Sequence, residues 1–454
     1  MTLQVINRGA RVGDTAAESV YDAFGKVNSN TAEIESEIVG HGSSGTGQYR
    51  SILHKTDVNS LDATARACVV SGGGDLGSST RAIEPGTNGR NEIGAHASYV
   101  PGTAHYAVIA GGYDNRNDQL AGTVGGGGHN LLSYLGSHGT IGGGSQHAVL
   151  GDSDYGTIGG GTQNVIGATA GGDANTIAGG YSNDITRGND STVGGGRDNQ
   201  VTSTGAGGGH TVAGGNANAI GGSGSYSNIA GGQKNSITST GNGAAIVGGA
   251  TNASAGAYSV VGGQNNSAGA GATSATLFGA SSVASDPYQL VFGLDVSPPA
   301  GAEGALCHGA NGAAFGADGS AQALNLVMTA QTTDAATAVH MAVRGTTAPT
   351  IPLNSAWVGT ALVIGKRVGQ ISVAAYWFRF CVSRHTSGNI VVEYEPAGAA
   401  KYLDGASLPD EPGIGTTNVP RIRTGVSTFQ LTVNGAAGVT INWVANIQMA
   451  TVVA

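Results

Sequence analysis

A single seven-residue phrase, returning along Val108 to Ala284, constrains this chain more tightly than anything else in it: a branched apolar residue, two or three glycines, two variable residues and then asparagine. It occupies Ile109–Asn115, Val124–Asn130, Ile158–Asn164, Thr169–Asn175, Ile177–Asn183, Val193–Asn199, Val212–Asn218, Ile229–Asn235, Ile246–Asn252 and Val260–Asn266, and the copy that opens at Ile141 ends in His147. The leading apolar positions 109, 124, 141, 158, 177, 193, 212, 229, 246 and 260 are separated by 15, 17, 17, 19, 16, 19, 17, 17 and 14 residues. Helical repeats need about 33 to 47 residues, whereas one coil of a β-solenoid or β-roll closes in about 12 to 25, so this step is one coil. An unstructured glycine-rich linker has no reason to hold such a register.

Each coil is expected to bury one Ile or Val from a short strand, with the glycines and the terminal asparagine supplying positive-φ turns. One apolar side chain per coil makes a thin core. Glycine beside it leaves room for a close backbone approach, which predicts that three chains share a common axis. Composition agrees with a repetitive shaft, since the 454 residues include 81 glycines but only 11% charged and 5% aromatic residues.

The net charge of −9 excludes a nucleic-acid partner, and Arg116, Arg187, Arg197 and Lys234 are the only basic residues between positions 101 and 300. Three widely spaced cysteines (Cys68, Cys307, Cys381) indicate neither a disulfide framework nor a zinc site, and are expected to be buried, inert thiols. Met1 to Gly13 lacks the apolar core of a signal peptide and no run of 18 apolar residues occurs, so the expectation is synthesis in a cytoplasm without membrane insertion.

Before the repeats, Ala17, Val20, Phe24, Val27, Thr31, Ile34 and Ile38 recur in steps of 3 and 4, a heptad seam that predicts an N-terminal helix in a trimeric coiled coil. Gly40 to Gly47 is a hinge. Near Leu277, Phe278, Leu290, Val291 and Phe292 the repeats turn bulkier, as a lower cap would, and Pro298-Pro299 ends them. From Ala321 onward, alternating stretches at Ala323–Thr329, Ala338–Val343, Ala356–Lys366, Gln370–Ser383, Asn389–Tyr394, Thr428–Val433 and Val439–Thr451 predict a β-sandwich of jelly-roll type. In Gln370–Ser383 both faces are apolar: Tyr376, Phe378 and Phe380 on one, Ile371, Val373 and Trp377 on the other. A strand of that kind is covered on both sides, once by its own domain and once by a neighbouring chain.

The phrases "TIGGGSQHAVLGDSDYGTIGGGTQNVI" and "NIAGGQKNSITSTGNGAAIVGGATNASAGAYSVVGGQNNSAGAGATS" resemble the head repeats of YadA-type trimeric adhesins, and the same repeat as used in bacteriophage tail fibres. The resemblance covers roughly residues 70 to 295, with longer and less regular coils than the adhesin pattern. The segment "INRGARVGDTAAESVYDAFGKVNSNTAEIES" resembles the N-terminal virion-attachment segment of tail fibres and tailspikes, matching at Ile6, Asn7, Gly9, Gly13, Asp14, Ala23, Phe24, Lys26, Asn28, Asn30 and Glu33. The strings "LNSAWVGTALVIGKR…AAYWFRFCVSR" and "FQLTVNGAAGVTINWVANIQM" resemble the C-terminal sandwich of many tail-fibre proteins. These resemblances imply a homotrimer in the virion tail, assembled in the host cytoplasm. Its N-terminus would meet the phage tail or baseplate, and its C-terminal tip a glycan or protein of the host surface.

The expected organisation is therefore mainly β: an attachment arm and helix (1–47), a Gly-rich parallel β-roll or β-solenoid shaft (48–299), a neck (300–320) and a C-terminal β-sandwich tip (321–454). The expected function is receptor binding, with a polysaccharide-cleaving tailspike or a purely structural spike as alternatives. A depolymerase needs two placed carboxylates. There is no Glu from Ile93 to Ala302, and Asp152 and Asp154 form the one tight pair, in a "GDSDYG" turn where aspartate serves the backbone. The chain is accordingly expected not to be an enzyme and to use no cofactor or metal. His96, His105, His129, His138, His147 and His210 could meet symmetry mates on a three-fold axis around an ion, but suit turns or surface better. No phosphate loop or Ser/His/Asp constellation is present. For receptor contact, the segment Pro396–Pro420 offers Lys401, Tyr402 and Asp404.

Overall fold

The computed structural model describes residues 52–53, 60–61, 68–70, 91–94, 104–133, 135–151, 153–167, 173–203, 208–309, 321–333, 338–343, 348–369, 373–394, 401–402, 420–424, 427–434 and 440–453. The expected N-terminal helix lies outside them. Among the described residues there is no helix. The chain divides into two units, 1–215 and 216–454.

In the first unit the repeat is a parallel β-solenoid. One row of two-residue strands runs through Val108–Ile109, Thr123–Val124, Thr140–Ile141, Thr157–Ile158, Thr176–Ile177, Thr192–Val193 and Thr211–Val212, each parallel to the next and in register. A second row, on the other side of each coil, contains Leu131–Leu132, Ala148–Val149, Val165–Ile166, Asp184–Arg187 and Gln200–Thr202. Side chains alternate along a strand. The first residue of each pair is therefore half-exposed, a position that suits threonine, and the second is buried.

The second row corrects the expectation of one apolar side chain per coil. Ile141 and Val149 both belong to one coil and both are fully buried, as are Ile158 and Ile166 in the next. Each coil thus closes a core of its own. The close backbone approach predicted at the glycines is real but comes from the same chain: a Cβ on Gly142 would lie 2.5 Å from the carbonyl oxygen of Gly159, one coil later. A missing core is therefore no argument for three chains.

The terminal asparagine is not a turn residue either. The residue before it is the left-handed one (Asp114, His129, Gln146, Gln163, Ser182 and Asp198, φ +54° to +59°). The asparagine itself is buried and forms a ladder. The backbone N–H of Asn130 donates to Oδ1 of Asn115 at 3.2 Å, that of His147 to Oδ1 of Asn130 at 3.1 Å, and that of Asn164 to Nδ1 of His147 at 3.1 Å. The series continues with Asn183 on Asn164 (2.9 Å) and Asn199 on Asn183 (3.0 Å). Each Asn amide also donates to a glycine carbonyl four residues back, as Asn164 does to Gly160 at 2.9 Å. The ladder satisfies buried backbone groups that a two-residue strand cannot reach.

The second unit has the same two rows: Asn228–Ile229, Ala245–Ala250, Val260–Gln264, Thr276–Ala280, Leu290–Leu294 and Leu306–Gly309 in one, and Ala219–Ile220, Ser236–Ile237, Ala253–Ser254, Ser267–Ala268 and Val283–Ala284 in the other. Its asparagine ladder runs Asn218, Asn235, Asn252, Asn266 and ends in Ser282. In the second row the buried residue shrinks from Ile237 to Ser254, Ala268 and Ala284, while first-row strands lengthen. The stretch around Leu277 and Val291 belongs to the ladder, which runs on to Cys307.

After Gly309 the pairing becomes antiparallel, with Cys307 opposite Leu324. Ala321–Thr332, Ile441–Val453, Ser355–Arg367, Val373–Arg384 and Ile390–Tyr394 then form one antiparallel sheet in that spatial order. Ala338–Met341, Phe429–Asn434 and Arg421–Thr424 form a three-stranded sheet, which packs on the inner face of the first. Phe429 meets Trp357 at 5.9 Å and Phe380 at 5.2 Å between ring centroids. The indole N–H of Trp443 donates to Oγ1 of Thr332 at 3.1 Å, and Gly365 provides the space its ring occupies. Seven of these strands lie where the alternating pattern put them. The strands Lys401–Tyr402 and Arg421–Thr424 carry too little alternation to be read in advance.

Candidate functional site

The repeating exterior follows from the core. Among the described residues the coils turn through left-handed residues in two rows, and the N–H of such a residue donates to a carbonyl in the coil before, as His129 does to Tyr113 at 3.1 Å and His138 to Leu120 at 2.8 Å. In the first unit one turn row holds Asp114, His129, Gln146, Gln163, Ser182 and Asp198. The imidazole of His129 pairs with Asp114, Nδ1 to Oδ2 at 2.6 Å. The other turn row holds Tyr106, Ala121, His138, Tyr155, Ala174 and Asp190. There the rings of His138 and Tyr155 stack with centroids 5.0 Å apart.

Of the aspartates read as a pair, Asp152 lies outside the described residues. Asp154 has a structural partner, because the backbone N–H and the hydroxyl of Ser137 both donate to its Oδ1 at 2.7 Å. A different aspartate holds the equivalent position one coil later. The carbonyl of Asp154 accepts from Ala174 N–H at 2.8 Å, and the carbonyl of Asp173 accepts from Asp190 N–H at 2.9 Å, so Asp154 and Asp173 hold one register position in consecutive coils. Coils stack about 4.8 Å apart, so neighbours across this surface are a full coil apart in sequence. Sequence proximity could not find that juxtaposition; aligning the repeat by coil would have.

The histidines separate into two groups. His105, His129 and His138 lie at turns, His96 lies outside the described residues, and His147 and His210 are buried. Burial lowers the pKa of both, and Nδ1 of His147 accepts a backbone N–H, which requires a neutral ring. Among the described residues no cluster of His, Cys, Asp or Glu is arranged to hold a metal ion. Cys68 and Cys307 are buried, Cys307 at a register position otherwise filled by Ile, Leu or Val, and burial pushes both thiols up. Cys381 is half-buried. Asp184 is half-buried at the outer position of its strand, and desolvation raises its carboxyl to about 6.

In the C-terminal domain, Lys401 and Tyr402 form a short strand beside Ala375 and Ala374. Asp404 lies outside the described residues. A second surface is the outer face of the large sheet. There Trp377 is 50% exposed opposite Leu362, and Val327, Val358, Ile364 and Val444 are exposed around them. Asn442, Asn446 and Gln448 fill the adjoining positions of the central strand. Trp377 is thus half-exposed, with the Arg379 guanidinium 5.4 Å from its ring centroid, whereas Tyr376, Phe378 and Phe380 are buried.

No protein-family model and no curated protein matches the chain. Among solved structures it is similar to the tailspike protein of Acinetobacter baumannii phage AM24, at 9% identity and a TM-score of 0.21, covering 81% of this chain and 67% of that one. It is also similar to tailspike protein gp49 of Acinetobacter baumannii bacteriophage Fri1, a capsular polysaccharide depolymerase, at 9% identity and a TM-score of 0.20, covering 80% of this chain and 66% of that one. At those scores the likeness assigns neither a shared site nor a shared substrate. The expectation that the chain is not an enzyme is nevertheless withdrawn, because one of these two structures is of a depolymerase. The expectation also counted only carboxylates close in sequence, while the solenoid brings together residues one coil apart, as at Asp154 and Asp173.

Proposed function

We propose that this chain is a phage receptor-binding protein of the tail-fibre or tailspike kind, which attaches a virion to a polysaccharide of the host surface. The observation that carries this reading is the coil ladder. Rows of buried aliphatic residues and asparagines fix an exterior on which equivalent positions recur at strand spacing, and a repetitive rigid surface suits a repetitive ligand. The resemblance of residues 6–33 to virion-attachment segments supports an attachment role for residues 1–47. In this proposal the shaft expected over residues 48–299 continues through the parallel strand Leu306–Gly309, which takes in the first part of the neck expected over 300–320, and 321–454 is a β-sandwich tip in which Lys401, Tyr402 and Asp404 contact receptor. The exposed Leu362, Val358, Val327 and Val444 around Trp377 support association between copies of the chain, which in this proposal is a homotrimer, with Arg379 over the Trp377 ring at the polar side of that contact.

Cleavage of the bound polymer is a second reading, which rests on Asp154 and Asp173 at one backbone register position in consecutive coils, with Ser137 donating to the Asp154 carboxylate. Fluorescently labelled full-length protein incubated with intact bacteria, and with bacteria stripped of surface polysaccharide, tests the main proposal. Adsorption to intact cells alone supports it; equal adsorption to both indicates a protein receptor, and adsorption to neither ends it. New reducing ends in the same incubation, lost in Asp154→Asn or Asp173→Asn, establish the enzymatic reading.

A further inference from the structure

In the second unit the two left-handed turn rows differ sharply in composition. One holds Ala217, Lys234, Thr251, Asn265, Ser281 and Asp295, all small or polar. The other holds Tyr226, Gly243, Tyr258, Ser274, Tyr288 and Gly304. Its register is set by backbone hydrogen bonds: Gly243 N–H to Ser225 carbonyl, Tyr258 to Asn242, Ser274 to Ala257, Tyr288 to Thr273 and Gly304 to Pro287. Every second coil therefore presents a tyrosine, with glycine or serine between.

Nothing in the turn calls for tyrosine. A left-handed backbone favours Gly, Asn or Asp, and a side chain bearing a Cβ there costs energy. The opposite row makes the same turn with small and polar residues. Tyr226, Tyr258 and Tyr288 nevertheless carry φ of +58°, +54° and +59°, and are 71%, 58% and 46% exposed. The left-handed φ is common to the turn residues of both rows, so what sets this row apart is exposed aromatic surface at a repeated position. The Tyr258 ring lies over the α-carbon of Gly243, so that a Cβ there would stand 2.8 Å from its Cδ1. The small residue in the intervening coil thus gives the ring a flat seat.

Two coils span about 9.5 Å, comparable to two linked pyranose rings. Lys234 is the only basic residue from Ser225 to Gly304, which disfavours a polyanion. We infer that Tyr226, Tyr258 and Tyr288 form a glycan-binding ridge, on which a neutral or sparsely charged polysaccharide lies along the coil axis and stacks the apolar faces of alternate sugars on the three rings. The ridge is separate from the tip residues Lys401, Tyr402 and Asp404, and it rests on the reading of the chain as a polysaccharide-binding protein. Tyrosine supplies rigid, amphipathic contact area of the kind that polar ligands use, and three modest contacts in line add through effective concentration.

The test is affinity electrophoresis of the full-length protein in gels cast with purified bacterial capsular polysaccharides and O-antigens, together with its native mass by light scattering. Asparagine is the substitute of choice because it tolerates the left-handed backbone. In a gel that retards the wild type, each of Tyr226→Asn, Tyr258→Asn and Tyr288→Asn should weaken retention about fivefold, and the triple variant about 100-fold, with the melting temperature unchanged or raised. Tyr→Phe at all three positions should retain binding. A triple Asn variant retained like the wild type overturns the ridge while leaving the attachment reading in place. Loss of oligomer mass in that variant also overturns it, and makes the row a chain-to-chain contact. A wild type retarded by no polysaccharide overturns both.

Discussion

His147 is the one histidine in a ladder otherwise built of asparagine, and it works there because neutral imidazole offers an acceptor at Nδ1. Its pKa is lowered from 6.5, chiefly by burial. The folded interior thus refuses a proton that the unfolded chain accepts, so its contribution to stability is complete above pH 6.5 and declines as pH falls below it. Asp184 has the opposite sign. Its carboxyl is raised from 3.8 to about 6, so the folded state holds a proton the unfolded state releases, and that contribution is lost as pH rises across this interval. Because the two effects overlap, the quantity to follow is the difference in melting temperature between wild type and His147→Asn from pH 7.5 to 5. That difference should shift steadily in favour of the variant on acidification, with His210 leaving a residual slope in both proteins. A constant difference would mean that His147 takes up its proton equally in the folded and unfolded states, so that folding does not lower its pKa.

Within a coil, adjacent glycines have unlike duties. A Cβ on Gly142 would meet the Gly159 carbonyl, whereas a Cβ on Gly143 has nothing within 4 Å. Gly142→Ala should therefore cost about 1–3 kcal/mol through overpacking, while Gly143→Ala should be neutral or stabilising by about 0.4–1 kcal/mol through the unfolded chain. Chemical denaturation of both variants separates them. The apolar leader and the glycine pattern were legible as elements because they recur at fixed offset. The second strand of each coil was not, since its residues vary from Leu131-Leu132 to Ala148-Val149 to Gln200-Val201 and share only one buried aliphatic position. In residues 321–454 alternation, or for Gln370–Ser383 an apolar run bounded by turn residues, made seven strands readable, and Gly365 opposite Trp443 shows how specific that packing is: one small residue makes the place for the indole.

For the whole molecule the open question of assembly rests on the outer face of the C-terminal sheet, where Leu362 and Trp377 stand opposite each other and exposed. Leu362→Lys places a charge in that face without touching the domain's own core. If the chain is a homotrimer held there, light scattering should find wild type at three chain masses and the variant dissociating towards one, with unchanged far-ultraviolet circular dichroism. A variant that keeps the wild-type mass would place the assembly contacts elsewhere. By itself, the sequence determined that residues 108–284 are coils of a β-solenoid and that the C-terminal third is an antiparallel β domain, because periodicity along a chain directly encodes which side chains share a face. The tertiary structure alone decided that each coil closes its own core, that the asparagines form an internal ladder rather than turns, and that Asp154 and Asp173 hold one register position in consecutive coils while tyrosines line one edge. Those relations connect residues a whole coil apart. They depend on how each coil stacks on the one before, which the spacing of a repeat allows but does not specify.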